Sequence, residues 1–246
     1  MPILLTSSVI AHDKGVQLQD PKERERLTME SVLRWRGIAP NHPIVLCDGS
    51  GFDFTRLVEA LPNSSNIECI HFHNDVNAVQ LHGRGFGEGE IVRFAVEHSI
   101  FIQTAGHFAK CTSKLWVENF SECISQWNGH MLLKGVFDDA FSPIRPTRFS
   151  YIDTRFYIMS VKRYHAHFLH THKAIQASQG QSLEECFRDV FLSLSCPPSL
   201  MRVPPVISGM GGGTGRYYKN TAARRLKERL RYLLIQRQLA FKSWFA

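Results

Sequence analysis

Short apolar segments alternate with helical segments through the first half of this chain, and this alternation limits the folds open to it. Three of the apolar segments have the length of a strand and carry few charges: residues 3–10, 43–47 and 67–72. A well-marked helix lies between the first two, with Asp20 as N-cap, Pro21 at its first position, Glu23 completing a capping-box pattern and Gly37 at its end. Strands that alternate with helices predict an α/β fold with a mixed, mostly parallel sheet.

Later segments extend the same alternation. We expect helices over 54–61 and 182–194, and strands over 100–104, 131–137 and 151–158. At 246 residues the chain can bury the core of one large domain. With 43% hydrophobic and 21% charged residues, and no apolar run near the roughly 18–20 residues that span a bilayer, the composition is that of an ordinary globular protein.

A run of alternate glycines is the most unusual local feature: Gly83, Gly85, Gly87 and Gly89. Glycines leave the backbone bare, so we expect a loop that presses main-chain N–H groups against a ligand. Apolar residues at helical spacing follow from Ile91, so the loop is predicted to lead into a helix N-terminus, where an anionic group is favoured. A phosphate or a carboxylate of the protein fits there, and a purely structural turn is the alternative. The run is neither a Rossmann fingerprint nor a P-loop.

A second glycine-rich run covers residues 207–218 and holds five glycines within seven residues. Such a run is not expected to form a helix or a strand, so we predict a flexible lid or a turn that closes over a ligand. Its candidate contacts to an acceptor are Gly209, Thr214, Arg216 and Tyr217. A linker to the C-terminal segment is the alternative.

Polar side chains stand where the first two predicted strands end. Thr6 and Ser7 lie near the end of the first strand, and Asp48 and Ser50 follow the second. Ligands of open α/β sheets bind outside the carboxyl ends of the strands, so these residues are predicted to line one edge. The alternative for residues 48–51 is an ordinary turn.

Charged residues further along the chain are candidates for contact with a phosphate. Lys110 and Lys114 suit the neutralisation of phosphate charge, although lysines at such positions are often solvated surface residues. The alternation over 151–158 places Asp153 and Arg155 on one face of a predicted strand. There they could accept a proton and hold a phosphate, and a cross-strand ion pair is the alternative.

Metal ligands are only weakly indicated. Asp138 and Asp139 follow the predicted strand 131–137, and paired aspartates can hold Mg²⁺ or Mn²⁺ with a diphosphate, whereas an acidic turn is the alternative. Four histidines crowd one predicted helix without i,i+4 spacing, so we expect a solvated or partly packed surface: His165, His167, His170 and His172. Six cysteines lack zinc-site spacing and are predicted to be buried thiols: Cys47, Cys69, Cys111, Cys123, Cys186 and Cys196.

Positive charge is concentrated at the C-terminal end of the chain. Nine Lys or Arg residues and one acid, Glu228, lie between Arg216 and Ala246, a net charge of +8, whereas the other residues sum to −1. We expect residues 1–219 to form the main domain and 220–246 a basic amphipathic helix. Its predicted apolar stripe consists of Leu226, Leu230, Leu233, Leu234, Phe241, Trp244 and Phe245. Such a helix fits adsorption to an anionic membrane face, and packing on the domain or binding of a partner or nucleic acid are the alternatives.

Together, these motifs resemble those of a family of bacterial glycosyltransferases that build capsule and lipopolysaccharide O-antigen. They occur in the expected order over most of the chain, at residues 4–7, 46–53, 85–91, 108–119, 153–157 and 207–218. The chain departs from the family at Ser113 and Lys114, where Gly-Arg is expected after the threonine. It also lacks a clear Asp-x-Asp signature, so a requirement for Mg²⁺ or Mn²⁺ is left open.

The resemblance implies a single GT-A-like, Rossmann-type domain that moves a sugar from a nucleotide-sugar donor to a hydroxyl of a glycan or lipid-linked acceptor. The candidate donor-binding residues are Thr6, Ser7, Asp48, Ser50, Gly85, Gly87, Lys110, Lys114 and Arg155. Asp153 is the first candidate for the base that takes the acceptor proton, and Glu88 is the second.

The expected location is the cytoplasm, with peripheral attachment to the inner membrane through the C-terminal helix. No nucleic-acid partner is expected, because the main domain is nearly neutral and lacks the aromatic-interleaved basic sheet of RNA readers. The alternative function is a non-catalytic protein that binds nucleotides or polyanions through its basic tail.

Overall fold

A computed structural model describes residues 1–62, 64–194, 199–218 and 220–246. Cys196, Pro197 and Pro198, which the sequence places after the helix 182–194, and Lys219 at the predicted domain boundary lie outside these residues. The strands are β1 (Ile3–Ser7), β2 (Ile44–Asp48), β3 (Ile67–His71), β4 (His107–Thr112), β5 (Leu115–Val117), β6 (Met131–Leu132), β7 (Gly135–Asp138), β8 (Arg148–Ile152), β9 (Phe156–Ser160), β10 (Ile207–Gly211) and β11 (Arg216–Tyr218). The helices are α1 (Pro21–Ile38), α2 (Thr55–Glu59), α3 (Val76–His82), α4 (Arg84–His98), α5 (Ile100–Ala105), α6 (Phe120–Ile124), α7 (Val161–Arg163), α8 (Leu183–Ser193) and α9 (Ala222–Arg237).

The central sheet has six strands in the order β3-β2-β1-β4-β9-β6. The first four are parallel, and β9 runs antiparallel to both of its neighbours. Alternate residues of β1 point to opposite faces, so Leu4 packs in one core with Ile91 of α4, while Leu5 packs in the other with Trp35 of α1. The mixed, mostly parallel α/β fold is confirmed.

Helix α1 begins as predicted. The Asp20 carboxylate accepts a hydrogen bond from the Lys22 amide at 3.0 Å, and Pro21 occupies the first position. The predicted capping box is wrong, because the Glu23 carboxylate pairs with Arg26 at 2.8 Å. The helix ends at Ile38, one residue beyond Gly37.

The alternate glycines form a helix and not the predicted loop. Gly83 caps α4 with a φ of +82°, and Gly85, Gly87 and Gly89 lie within the helix. Their bare surface lets other elements approach: a Cβ built on Gly87 would lie 2.7 Å from Asn74 Nδ2, and one on Gly89 would lie 2.2 Å from the Cβ of the buried His172. Gly85 similarly contacts Leu183 of α8. The glycines therefore serve close packing.

Alanine substitutions at Gly89 and Gly37 are expected to have opposite effects on stability. Both residues are in helices, where alanine is better by about 0.5–1 kcal/mol. Nothing lies within 4 Å of a Cβ at Gly37, so Gly37→Ala should stabilise the protein by about that amount. Gly89→Ala must displace His172 and should destabilise it by about 1–3 kcal/mol. Urea unfolding curves give both values, and equal effects would refute the packing role.

Three predicted strands differ from the structure. Residues 100–104 belong to helix α5, since Ser99 caps it by accepting a hydrogen bond from the Ile102 amide at 3.1 Å. The apolar run 131–137 is divided between β6 and β7, and 151–158 is interrupted by a turn at residues 153–155. A short apolar run fits a strand or a buried helix equally, and alternation continues through a tight turn, so neither pattern could show these breaks.

The second glycine-rich run was expected to form neither helix nor strand, but it forms the hairpin β10–β11, whose strands include Gly209 and Gly211. The histidine segment is a π-helical turn (Tyr164–Phe168) followed by a 3₁₀ turn (Thr171–Ala174). His165 and His170 are exposed and His167 is half-buried, as expected of a partly packed surface, whereas His172 is buried. The described cysteines are free thiols, and all but Cys69 are buried.

The C-terminal segment packs on the main core through its aromatic residues. Phe241 and Phe245 are buried against Phe137, and the Tyr232 hydroxyl donates to the Gly135 carbonyl at 2.6 Å. The prediction of one apolar stripe is wrong, because these aromatic side chains face the core while the leucines of α9 are exposed. In the described part of the chain, no helix combines the length and apolarity needed to cross a bilayer.

Candidate functional site

An open cleft of about 200 Å³ lies at the carboxyl ends of β1 and β4. Helix α1, the first turns of α4 and the tip of the β10–β11 hairpin enclose it. The residues that line it include Thr6, Ser7, Ser8, Arg24, Asn74, Arg84, Gly87, Glu88, Thr112, Lys114, Arg155, Glu184, Thr214 and Tyr218. This edge is where open α/β sheets bind their ligands.

Lys114 lies in the cleft with an unfavourable backbone conformation and a buried side chain. Its φ of +72° is in the left-handed region that favours glycine, a conformation that costs roughly 1–3 kcal/mol for other residues. The residue is buried, with 4% of its surface exposed, and its ammonium group donates to the Ser113 hydroxyl at 3.0 Å. Burial and the nearby charge of Arg24 lower the pKa of Lys114 to about 7. No ion pair joins it to a carboxylate among the described residues.

Arg24 provides a second buried cation beside Lys114. It lies on α1 and donates to the backbone carbonyls of Ser8 at 2.7 Å and Leu18 at 2.9 Å. The guanidinium has no carboxylate partner within the part of the chain that the structure describes. Burial lowers the pKa of Arg24. The adjacent Ser7 hydroxyl is buried without a hydrogen-bond partner in the same part of the chain. Two buried cationic groups that form no ion pair in the described residues, together with a free hydroxyl, fit an anionic ligand.

The β10–β11 hairpin reaches these cations because its glycines lack side chains. Gly209 has a φ of +106°, and a Cβ there would lie 2.2 Å from the Lys114 carbonyl oxygen, which accepts from the Met210 amide at 2.9 Å. A Cβ on Gly212 would lie 3.1 Å from Lys114 Cε and 3.6 Å from Arg24 Nη1. The tip therefore stays narrow and leaves room beside both cations.

Glu88 faces the cleft on a buried polar network. Its Oε1 accepts from Thr112 at 2.6 Å and Thr6 at 3.2 Å, and it pairs with the buried Lys110. Burial alone would raise the pKa of Glu88, but the charge and hydrogen bond of Lys110 lower it, so the carboxylate is ionised at neutral pH. Lys110 also donates to the Thr154 carbonyl at 2.7 Å, so its donors are used within the protein and it positions Glu88.

Asp153 and Arg155 form a two-point ion pair within the turn before β9. The Asp153 carboxylate accepts from Arg155 Nε at 2.7 Å and Nη2 at 2.5 Å, and Lys134 lies 3.2 Å away. Burial alone would raise the pKa of Asp153, but Lys134 and Arg155 lower it well below its ordinary value. Asp153 is buried and does not line the cleft, so this geometry does not fit its predicted role as the base. Arg155 does reach the cleft, 5.0 Å above the Tyr218 ring.

Asp48 and Ser50 do not reach the cleft. Asp48 is fully buried and accepts from the Val9 amide at 2.9 Å and the Ser50 hydroxyl at 2.6 Å. Ser50 in turn accepts from the Ile10 amide at 3.0 Å. Their side chains hold the loop after β1 in place, so a direct contact with the donor does not fit either residue.

Several other predicted residues also lie away from the cleft. Gly85 packs on α8, Gly209 lies in β10 against the Lys114 carbonyl, and the exposed Tyr217 donates to Glu30 at 3.2 Å. Arg216 is exposed at the start of β11. By contrast, the structure brings Thr6, Ser7, Gly87, Glu88, Lys114, Arg155 and Thr214 together around one opening.

A metal site is not apparent in the described residues. Asp138 Oδ2 pairs with Arg148 at 2.7 Å, and Asp139 is exposed in the following turn. No group of three or more His, Cys, Asp or Glu side chains is arranged to hold an ion in that part of the chain. Asp138 and Asp139 are therefore not arranged to hold Mg²⁺ or Mn²⁺ on their own.

The cleft residues that the sequence did not identify as ligand contacts include Arg24, Arg84 and Tyr218. Arg24 shares the buried face of α1 with Thr28 and Ser31. Polar residues at helical spacing on an otherwise apolar face were the available signal. Arg84 and Tyr218 gave no local signal, because only the folding of α4 and the hairpin brings them to the cleft.

No protein-family model matches the chain, and no curated protein matches it. Among solved structures, an active-site mutant of LgtC is similar over 78% of this chain and 70% of its own, at 10% identity and a TM-score of 0.52. The galactosyltransferase LgtC with donor and acceptor sugar analogues is similar over 77% of this chain and 66% of its own, at 11% identity and a TM-score of 0.49. The predicted GT-A-like fold is confirmed.

Proposed function

We propose that the chain is a glycosyltransferase that uses a nucleotide-sugar donor. The observation that carries this proposal is the pair of buried cations, Lys114 and Arg24, which face the cleft without a carboxylate partner among the described residues. A donor phosphate would supply the missing negative charge and an acceptor for the Ser7 hydroxyl. The likeness of the fold to LgtC supports the same assignment.

In the proposed reaction, the bond between the anomeric carbon and the phosphate oxygen breaks, and its electron pair goes to the nucleoside phosphate. The acceptor hydroxyl oxygen bonds to the anomeric carbon and gives up its proton. Lys114, Arg24 and Arg155 stabilise the leaving anion, since charge that develops next to fixed cations lowers the barrier. Glu88 takes the proton, because it is ionised and faces the cleft, and its described hydrogen bonds all reach Oε1.

The acceptor in this proposal is a hydroxyl of a bacterial surface glycan or its lipid-linked precursor, at the cytoplasmic face of the inner membrane. The order of motifs that resembles capsule and O-antigen glycosyltransferases supports this choice of acceptor. The basic helix α9 supports a location at an anionic membrane surface.

A thermal-shift panel of UDP-, GDP- and CMP-sugars, each with and without Mn²⁺, tests the donor assignment. A ligand that binds the folded state raises the Tm, so one nucleotide class should raise it and its free sugar should not. Transfer to water or to a glycan acceptor, followed as release of the nucleotide, then tests catalysis. Stabilisation by heparin and by every nucleotide alike would instead favour a polyanion-binding protein.

Donor binding is expected to weaken as the pH rises above about 7. The phosphate requires a protonated Lys114, whose pKa in the free protein is about 7, so binding above that pH must take up a proton. Arg24, Asp48 and Glu88 are the charged groups that act on Lys114. The affinity should fall by about tenfold per pH unit until the pKa of the complex is reached. Calorimetry in buffers of different ionisation enthalpy measures the proton uptake, and Lys114→Arg should abolish it.

A further inference from the structure

The connection between β7 and β8, residues 139–147, lies beside helix α9. The Lys227 ammonium lies 6.0 Å and the Arg231 guanidinium 5.6 Å from the centre of the Phe141 ring. At the other end of the connection, the Gln238 amide donates to the Thr147 hydroxyl at 2.8 Å. These contacts join the two segments into one surface, which we call the 139–147/α9 surface.

Large apolar side chains of both segments are exposed on this surface. Phe141 is 47% exposed and Ile144 is 90% exposed at the turn of the connection. Helix α9 adds a stripe of exposed leucines at helical spacing: Leu226, Leu230, Leu233 and Leu234. Because Tyr232 and Ile235 bury the opposite side of α9, the leucine stripe points away from the core.

Cations flank the leucines on both sides. Lys227 and Arg231 lie on one side of the stripe, whereas Arg225 and Arg229 on the other side pair with Glu118 and, at 3.5 Å, with Glu122. The acid of α9, Glu228, is half-buried on the inner side, 2.6 Å from Arg231 and 3.9 Å from Lys134. The surface thus has an apolar centre with a cationic margin on the side of Lys227 and Arg231, an arrangement that suits acyl chains below anionic headgroups.

We propose that the 139–147/α9 surface docks on an anionic lipid bilayer, with Ile144 and the leucine stripe inserted and the flanking cations at the headgroups. This inference deepens the proposed function by adding the 139–147 connection to the contact expected from the C-terminal helix. A second copy of the chain fits less well, because it would place rows of arginines against each other. An acidic protein lacks the acyl chains that would cover Ile144.

Flotation with vesicles of phosphatidylcholine alone, and with vesicles of phosphatidylcholine and phosphatidylglycerol, tests the proposal on the full chain. We expect binding to the anionic vesicles only, weakened by added salt. Ile144→Glu should reduce binding by at least about tenfold, because it puts a charge where an apolar side chain inserts. Ile100→Glu is the matched control, since Ile100 is 71% exposed on α5 and should leave binding unchanged.

Equal binding of Ile144→Glu and the unsubstituted chain would overturn the role of the connection. Failure to bind anionic vesicles, or a dimer in light scattering that Ile144→Glu dissolves, would overturn the bilayer as the occupant. Vesicle binding needs no nucleotide, so these results are independent of donor binding in the cleft. Ile144→Glu should also keep the nucleotide-dependent thermal shift, which shows that the variant is folded.

Discussion

Replacing Lys114 with methionine is expected to abolish most donor binding while leaving the free protein at least as stable. A charge-assisted hydrogen bond contributes about 1.5–3 kcal/mol, so the nucleotide-sugar affinity should fall by roughly 10- to 150-fold. The free protein loses a buried cation that has no carboxylate partner in the described residues, so its Tm should not decrease. Nucleotide-dependent thermal shift and calorimetry measure the two effects.

Lys114→Gly gives a sharper test, because it also removes the conformational cost of a side chain at a left-handed position. Glycine adopts a φ of +72° without the cost that lysine bears, so this variant should have a higher Tm than the parent and still fail to bind the donor. Lys22→Met, on the exposed side of α1, is the control and should change neither quantity. A Lys114→Gly variant that binds the donor normally would contradict the assignment of Lys114 to the donor site, and one that is less stable would contradict the cost of its left-handed backbone.

Asp153→Ala is expected to be among the most destabilising single substitutions in the protein. It leaves the cations of Lys134 and Arg155 facing each other without the buried carboxylate that separates them. Removing one partner of a buried ion pair costs about 3–5 kcal/mol, which corresponds to a fall in Tm of roughly 6–20 °C in a chain of this size. Asp138→Ala breaks an exposed pair with Arg148 and should cost at most about 1 kcal/mol.

The pH dependence of stability gives a second measurement on Asp153. Because its pKa is lowered in the folded protein, its contribution is present above an unfolded pKa of about 3.9 and is lost as the pH falls below it. Asp153→Asn should therefore flatten the acid limb of the stability curve, and Lys134→Met added to it should recover part of the loss. Equal stability of Asp153→Ala and Asp138→Ala would show that the network contributes nothing.

The sequence predicts elements of this fold well where the apolar periodicity agrees with the residues that typically begin or end a helix or strand. Asp20 and Pro21 mark the start of α1, and the apolar runs mark β1, β2 and β3 within a few residues. The sequence-based prediction fails where the same residues suit two different structures. The glycines of α4 look like a ligand loop, yet they make room for Asn74 and His172, which lie far from them in the sequence.

The candidate site shows the same limit. The sequence predicted Lys114, Glu88 and Arg155 as site residues, and all three line the cleft. It could not distinguish a carboxylate that faces solvent from one that is covered by its neighbours, so Asp48 and Asp153 were nominated with equal reason. Burial and pairing depend on the tertiary structure, and only coordinates reveal them.

The aromatic contacts of Phe241 and Phe245 also bear on how the chain is made. Leu200 forms a β-bridge with Phe245, and the Ala246 amide donates to the Leu200 carbonyl at 2.8 Å. These residues near the C-terminal end cover the apolar layer that contains Phe137. During synthesis on the ribosome, that layer stays open to water until residue 245 has emerged from the exit tunnel. Such long-range closure slows folding, and apolar surface that is exposed in the meantime favours aggregation of the nascent chain.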